Sequence, residues 1–237
     1  MSATLHARRL PGGQMEGYGQ FCPVALTAEI LTRRWTPLVV RELLCGSVRF
    51  NELRRGVPRM SSSLLCTRLA ELEDAGILER IVDDDGDHPE YHLTDAGLGL
   101  RPIIESMGVW GKRWIKGDLR EEDLDADLLM WDLRRRLSTE NAPDGRTVVH
   151  FHFEDRPKAG RDYWVVVDCD EVDLCRQDPG YGVDLHVVTD LRTMTAVWRG
   201  DERYAEALRR GDVRIRGPED LRRSFPDWLG MSLFAGV

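Results

Sequence analysis

Long apolar runs are missing from this 237-residue chain: none approaches the roughly 20 residues that span a bilayer. The opening stretch, MSATLHARRLPGGQMEGYGQ, also lacks the apolar centre of a secretory leader, so no membrane partner and a cytoplasmic location are expected. Cysteine is sparse. The five, at 22, 45, 66, 169 and 175, form no CxxC pair and no regular spacing, which speaks against a disulfide framework and a zinc finger and leaves reduced thiols as the expectation. There is no phosphate-binding glycine loop, no HExxH and no recognisable nucleophile and base pair, so neither an enzyme nor a cofactor is expected. Internal repeats and low-complexity tracts are also absent.

What is present suits two modest cores, with 42% apolar and 31% charged residues. The formal net charge of −8 is unevenly spread. Residues 1–117 carry 15 basic and 15 acidic side chains, so the whole excess of acid lies in 118–237. Within the neutral half, 33–68 hold eight arginines against Glu42 and Glu52. Phosphate responds to such local surface rather than to total charge, because the field is screened within about 8 Å at physiological salt.

Residues 1–20, rich in glycine, read as a flexible N-terminal arm. Pro23 suits a first helical turn, and Val24, Leu26, Ile30 and Leu31 form a helical stripe; Thr36 then caps Pro37 and the run LVVRELLCG, which stops at Gly46. After the short segment RFNELRRG and the turn VPRM, Ser61 is an N-cap for SSLLCTRLAELEDAG. This succession is a helix-turn-helix arrangement. ILERIVDDD and PEYHLT form a short hairpin, a wing, and a further helix capped by Thr94 or Asp95 carries Leu98, Ile103, Ile104, Met107, Trp110 and Trp114 as far as Gly117. REEDLDADLLMWDLRRRLS reads as an amphipathic connecting helix. From Arg146 the period changes to two, and TVVHFHFED, DYWVVVDCDEVDLCR and GVDLHVVTD predict three or four strands, with DVRIRG as a last one. The domains are therefore expected at 1–20 (arm), 21–117 (winged helix-turn-helix), 118–140 (connecting helix) and 141–237 (an α+β domain).

A helix that enters the major groove buries one face and presents short polar and basic side chains on the other. Leu65, Leu69 and Leu72 share one face of the Ser61 helix, which directs Ser62, Ser63, Cys66, Thr67 and Arg68 outward. Ser61, Ser62, Ser63, Thr67 and Arg68 are the candidate base or phosphate contacts, with Arg49, Arg54, Arg55 and Arg59 as backbone anchors. By charge alone, an ordinary solvated surface remains the competing reading. The string from Cys22 to Gly111, with Cys22-Pro23-Val24, Arg34-Trp35-Thr36, Arg49-Phe50-Asn51-Glu52-Leu53, Tyr91-His92-Leu93-Thr94 and Trp110-Gly111, closely resembles the HxlR-type winged-helix regulators, cousins of the MarR group. That resemblance implies a homodimer reading a two-fold symmetric double-stranded DNA operator, usually as a repressor. The wing tip, Asp83-Asp84-Asp85-Gly86-Asp87, departs from the pattern: its carboxylates repel phosphate, leaving His88 as the wing contact expected.

The later region, through Thr193 to Gly200 and Gly211 to Pro218, resembles the sterol carrier protein 2-like fold, which implies a five-stranded sheet covered by helices around an apolar tunnel. Phe151, Phe153, Trp164, Val166, Trp198, Phe225, Trp228 and Phe234 are the large apolar faces expected to hold a small hydrophobic ligand. A solid core made by the same residues is the alternative. His150 and His152 share a strand face, with His186 as a possible neighbour, but no carboxylate or thiolate stands at ligand spacing, and no metal is expected. In some HxlR-type relatives the cysteine equivalent to Cys22 senses oxidants or electrophiles; an inert thiol at a dimer seam is the alternative. The expected function is a regulator released from its operator by a ligand in the second domain, with thiol sensing through Cys22 and a hydrophobic-metabolite carrier as competing readings.

Overall fold

The computed structural model describes residues 17–82, 88–115 and 119–237. The acidic wing tip and most of the expected arm lie outside these residues. Contacts divide the chain into two units, Met1–Trp110 and Gly111–Val237.

The first unit contains α1 (Pro23–Leu31), α2 (Thr36–Leu44), α3 (Phe50–Gly56), α4 (Ser62–Asp74), β1 (Leu78–Ile81), β2 (Glu90–Leu93) and α5 (Asp95–Leu98); α6 (Arg101–Trp114) begins in it. β1 and β2 pair antiparallel as the stem of the wing. Val39, Val40, Leu53, Leu65, Leu69, Leu72 and Leu78 meet in its core. Two local expectations are corrected. Trp35, not Thr36, precedes α2, with a left-handed φ of 78° that reverses the chain sharply after α1; Thr36 is the first helical residue and is buried. The helix expected from Thr94 is two helices. Pro102 has no N–H to offer the Leu98 carbonyl four residues earlier, so α5 ends and α6 starts afresh.

Packing of α2 on α3 centres on a buried charge. Glu42 is fully enclosed, and its Oε1 accepts hydrogen bonds from Arg41 Nε (3.1 Å) and Nη2 (2.6 Å). Arg41 Nη2 also donates to the Gly56 carbonyl at the end of α3 (3.1 Å). A methyl group at Gly56 would run into the Glu42 carboxylate, so only glycine lets the end of α3 come this close. Glu52 fixes the other end of α3: its Oε2 accepts from the backbone N–H groups of Val48 (3.0 Å) and Arg49 (3.1 Å).

The second unit holds α7 (Ala126–Arg136), β3 (Thr147–Phe153), β4 (Asp162–Asp168), β5 (Glu171–Cys175), β6 (Leu185–Thr189), α8 (Leu191–Arg199), α9 (Tyr204–Arg210), β7 (Val213–Arg216) and α10 (Glu219–Trp228). Its five strands lie in the order β5-β4-β3-β6-β7, with β3 and β6 parallel and the other pairs antiparallel. Of the three or four strands expected, the run 162–176 supplies two, β4 and β5, joined as a hairpin. Its turn passes through Cys169 at φ 53° without a glycine or proline to mark it. One face of the sheet, including Val149, Phe151, Phe153, Tyr163, Val165 and Val167, packs against apolar residues of α7, α8 and α10. The helix expected as a connector over 118–140 takes shape as α7, and its Leu129, Met130 and Leu133 are part of this core. Pro226 lies within the last turn of α10, which continues to Trp228.

Gly56→Ala should destabilise the first unit by about 1–3 kcal/mol, the usual cost of overpacking. Faster hydrogen exchange at the amides of α2 and α3, with the second unit unchanged, is the expected result.

Candidate functional site

The Ser61 hydroxyl caps α4 by accepting from the Leu64 N–H (3.3 Å). Leu65, Leu69 and Leu72 anchor the helix in the core, and Ser62, Ser63, Cys66 and Thr67 are exposed on the opposite side. The hydroxyls are short and local: Ser61 and Ser63 lie within 3.3 Å of each other, and Thr67 donates to the Ser63 carbonyl (3.0 Å). Such a face presents small donors and acceptors close to the helix backbone, which is the chemistry for reading base edges. Arg54, Arg55 and Arg59 are exposed on the segment leading to it.

Among the expected arginine contacts, Arg68 and Arg49 make ion pairs within the unit. Arg68 does not point outward: its Nε donates to the Arg34 carbonyl (3.1 Å) and its Nη1 to Glu71 (2.5 Å), while Arg33 holds the other oxygen of Glu71 (2.8 Å). This clasp ties α4 to the turn between α1 and α2. Arg49 is exposed but shares its charge with Glu90 at the wing stem (3.3 Å). Hydrogen bonds from His92 and then Arg49 hold the Glu90 carboxyl below its ordinary range. His88 is exposed beside the stem. Arg80, exposed on β1 opposite Tyr91, is a cation that residue counting overlooked; only Leu78 of this strand is buried, so alternation in LERI gives no signal for it.

Apolar residues also face outward. Ile103, Met107, Trp110 and Trp114 form one stripe along α6, with Trp110 59% and Trp114 66% exposed; Phe21, Val24 and Leu26 are exposed at and before the start of α1. Cys22, half-buried, is the N-cap of α1 and makes no side-chain capping bond.

The HxlR-like helix-turn-helix family matches residues 30–118. YvaP of Bacillus subtilis (strain 168), an uncharacterised HTH-type transcriptional regulator, is 38% identical over 98 residues, covering 40% of this chain and 91% of that protein. The chain belongs to the HxlR-like helix-turn-helix family. Another similar protein is the HTH-type transcriptional regulator YodB of the same organism, 32% identical over 39% of this chain and 85% of its own length. Among solved structures, the redox regulator HypR in its reduced form is 34% identical, covers 39% of this chain and 92% of that one, and has a TM-score of 0.37. The HxlR match ends at residue 118, before the sheet of the second unit begins.

In that second unit the eight residues expected around a ligand fall into separate places. Phe151, Phe153, Phe225 and Trp228 are fully enclosed between the sheet and its helices, and Trp198 packs against the same core. Trp164 and Val166 stand on the opposite face of β4, and Phe234 is half-buried near the C-terminus. Trp164 shares its face with His150 and His152 of β3 and His186 of β6. The register also supplies the carboxylate that sequence spacing did not reveal, since Asp162 of β4 pairs with His152.

Ser61→Ala should cost about 1 kcal/mol of stability through the lost cap, and Ser61→Asp should retain most of it. Urea denaturation of the two variants checks the assignment. A second prediction concerns His150, whose pKa is lowered chiefly by burial, against the pull of Asp162 and with the help of neighbouring His186 and His152. Arg216 of β7 pairs with His186, and Cys175 of β5 lies beyond Trp164. The unfolded chain therefore binds a proton more readily than the folded one, and stability falls as pH drops through about 6.5. NMR titration should find His150 with a midpoint below that of an unfolded-chain histidine.

Proposed function

We propose that this HxlR-like protein is a DNA-binding transcriptional regulator that acts as a homodimer, laying α4 in the major groove. Family membership supports regulation of transcription. The observation that carries the specific reading is the exposed face of α4, Ser62, Ser63 and Thr67, preceded by the exposed Arg54, Arg55 and Arg59 in a chain whose acidic excess lies elsewhere. Dimerism is supported by the α6 stripe: an apolar row with two tryptophans is costly to leave in water and is self-complementary across a two-fold axis. Two α4 helices in such a dimer reach successive major grooves of a two-fold operator, about 34 Å apart.

The effector in this reading is a small hydrophobic ligand held by the second unit, in line with its sterol-carrier resemblance, and its binding favours a dimer that no longer fits the operator. Two buried polar groups support a ligand there. The Trp198 Nε1 and the Tyr204 hydroxyl lie against the aromatic core without hydrogen-bond partners. Burial pushes the Tyr204 pKa up to about 12, so it stays a neutral donor. A second reading makes Cys22 an oxidant sensor, favoured by its half-buried, unbonded position at the start of α1.

The test is binding of the full chain to DNA from its own promoter region, titrated in salt. Arg54→Ala/Arg55→Ala/Arg59→Ala should weaken binding at least about tenfold and reduce the log–log salt slope by about one per phosphate contact removed. Absence of sequence-selective binding by the unmodified dimer would overturn the reading and favour a carrier. Release by oxidant that is lost in Cys22→Ser would assign sensing to the thiol.

A further inference from the structure

We propose that His150, His152 and Asp162 form a binding site for a divalent transition-metal ion on the sheet face turned away from the helices, with His186 as the outer hydrogen-bond partner of His150. Three of the chain's six histidines meet here. Strand register brings them together. Alternation puts His150 and His152 on the same side of β3, antiparallel pairing sets Asp162 opposite His152, and the parallel β3–β6 pair sets His186 beside His150.

Both imidazoles converge on one carboxylate oxygen. His150 Nε2 lies 2.9 Å and His152 Nδ1 2.7 Å from Asp162 Oδ1, and the ligand atoms of all three residues fall within 4.8 Å of one another. Metal–ligand bonds of about 2.0–2.2 Å place neighbouring ligand atoms about 3.3 Å apart in a tetrahedral shell, so Asp162 Oδ1 draws back by about half an ångström from the two nitrogens, and the imidazoles turn toward each other, to admit the ion. The ion takes the place of the two N–H groups that now point at the carboxylate. His150 then carries its proton on Nδ1, which lies 3.3 Å from His186 Nδ1 and donates to it. A metal-bound histidine characteristically fixes its tautomer through such a bond.

The surroundings suit the role. His150 stacks on Trp164 with ring centroids 4.8 Å apart and planes 25° apart, which limits rotation of the imidazole. The side chains of His150, His152 and Asp162 are 17%, 30% and 31% exposed, so an ion can enter from solvent and keep water or a small anion in its remaining positions. Burial favours neutral His150, the form with a free lone pair, and the hydrogen bonds of His152 and His150 outweigh burial to keep Asp162 ionised. Two imidazoles and one carboxylate select zinc, iron, cobalt or nickel over magnesium or calcium. The site stands independently of DNA binding.

Chelator-treated full chain titrated with Zn2+ against a chromophoric competitor should bind one equivalent, and excess Mg2+ should not displace it. Co2+ should give visible d–d absorption, with quenching of tryptophan emission that is reduced in Trp164→Phe. His152→Ala and Asp162→Asn should each weaken Zn2+ binding more than about tenfold, and His186→Ala about tenfold, as for other outer-shell partners. His92→Ala, on the wing stem, should leave affinity unchanged. Circular dichroism checks the fold of each variant, and His152→Gln, at a half-exposed position, repeats the ligand deletion with less change of shape. Absence of stoichiometric Zn2+ binding, or equal affinity in folded His152→Ala, His152→Gln and wild type, would overturn the proposal in favour of a plain hydrogen-bonded cluster.

Discussion

A carboxylate enclosed in the core governs the first unit. Buried Glu42 must be compensated, because an unpaired charge in a protein interior costs several kcal/mol. Arg41 supplies the compensation and reaches on to the last carbonyl of α3, and Gly56 leaves the room. The direction in which the chain leaves α3, and hence the start of α4, follows from that small assembly. The Arg33–Glu71–Arg68 clasp then fixes α4 from its other flank. The polar face of α4 is held steady by these buried and half-buried charges on its flanks.

The helices of the first unit were legible because each carries a punctuation mark with a physical cause. Pro23 starts α1, and Ser61 caps α4. Expectation and structure part where geometry is set by residues that carry no such mark. Trp35 in a left-handed conformation is invisible to propensity, since tertiary packing imposes it. Arg68 was read outward from helical periodicity, yet a long side chain on the margin of a helix can fold back to a carboxylate, and Glu71 one turn later takes it.

The second unit was harder because its arrangement depends on pairing between distant segments. Alternation in TVVHFHFED correctly separates Phe151 and Phe153 from His150 and His152, but no local pattern says which strand lies alongside. Asp162 is ten residues from His152 along the chain and hydrogen-bonded to it in space, a relation created wholly by the hairpin register. For the same reason the eight large apolar residues looked like one lining; β4 sends Trp164 and Val166 to one side and Tyr163 and Val165 to the other.

The clasp on α4 also bears on how such proteins diversify. Ser62, Ser63, Cys66 and Thr67 are exposed, while the helix is held by Leu65, Leu69, Leu72 and Arg68. Exchanges at exposed positions of this kind usually alter stability by less than about 0.5 kcal/mol. A lineage can therefore rewrite those four side chains while the scaffold that presents them is inherited unchanged.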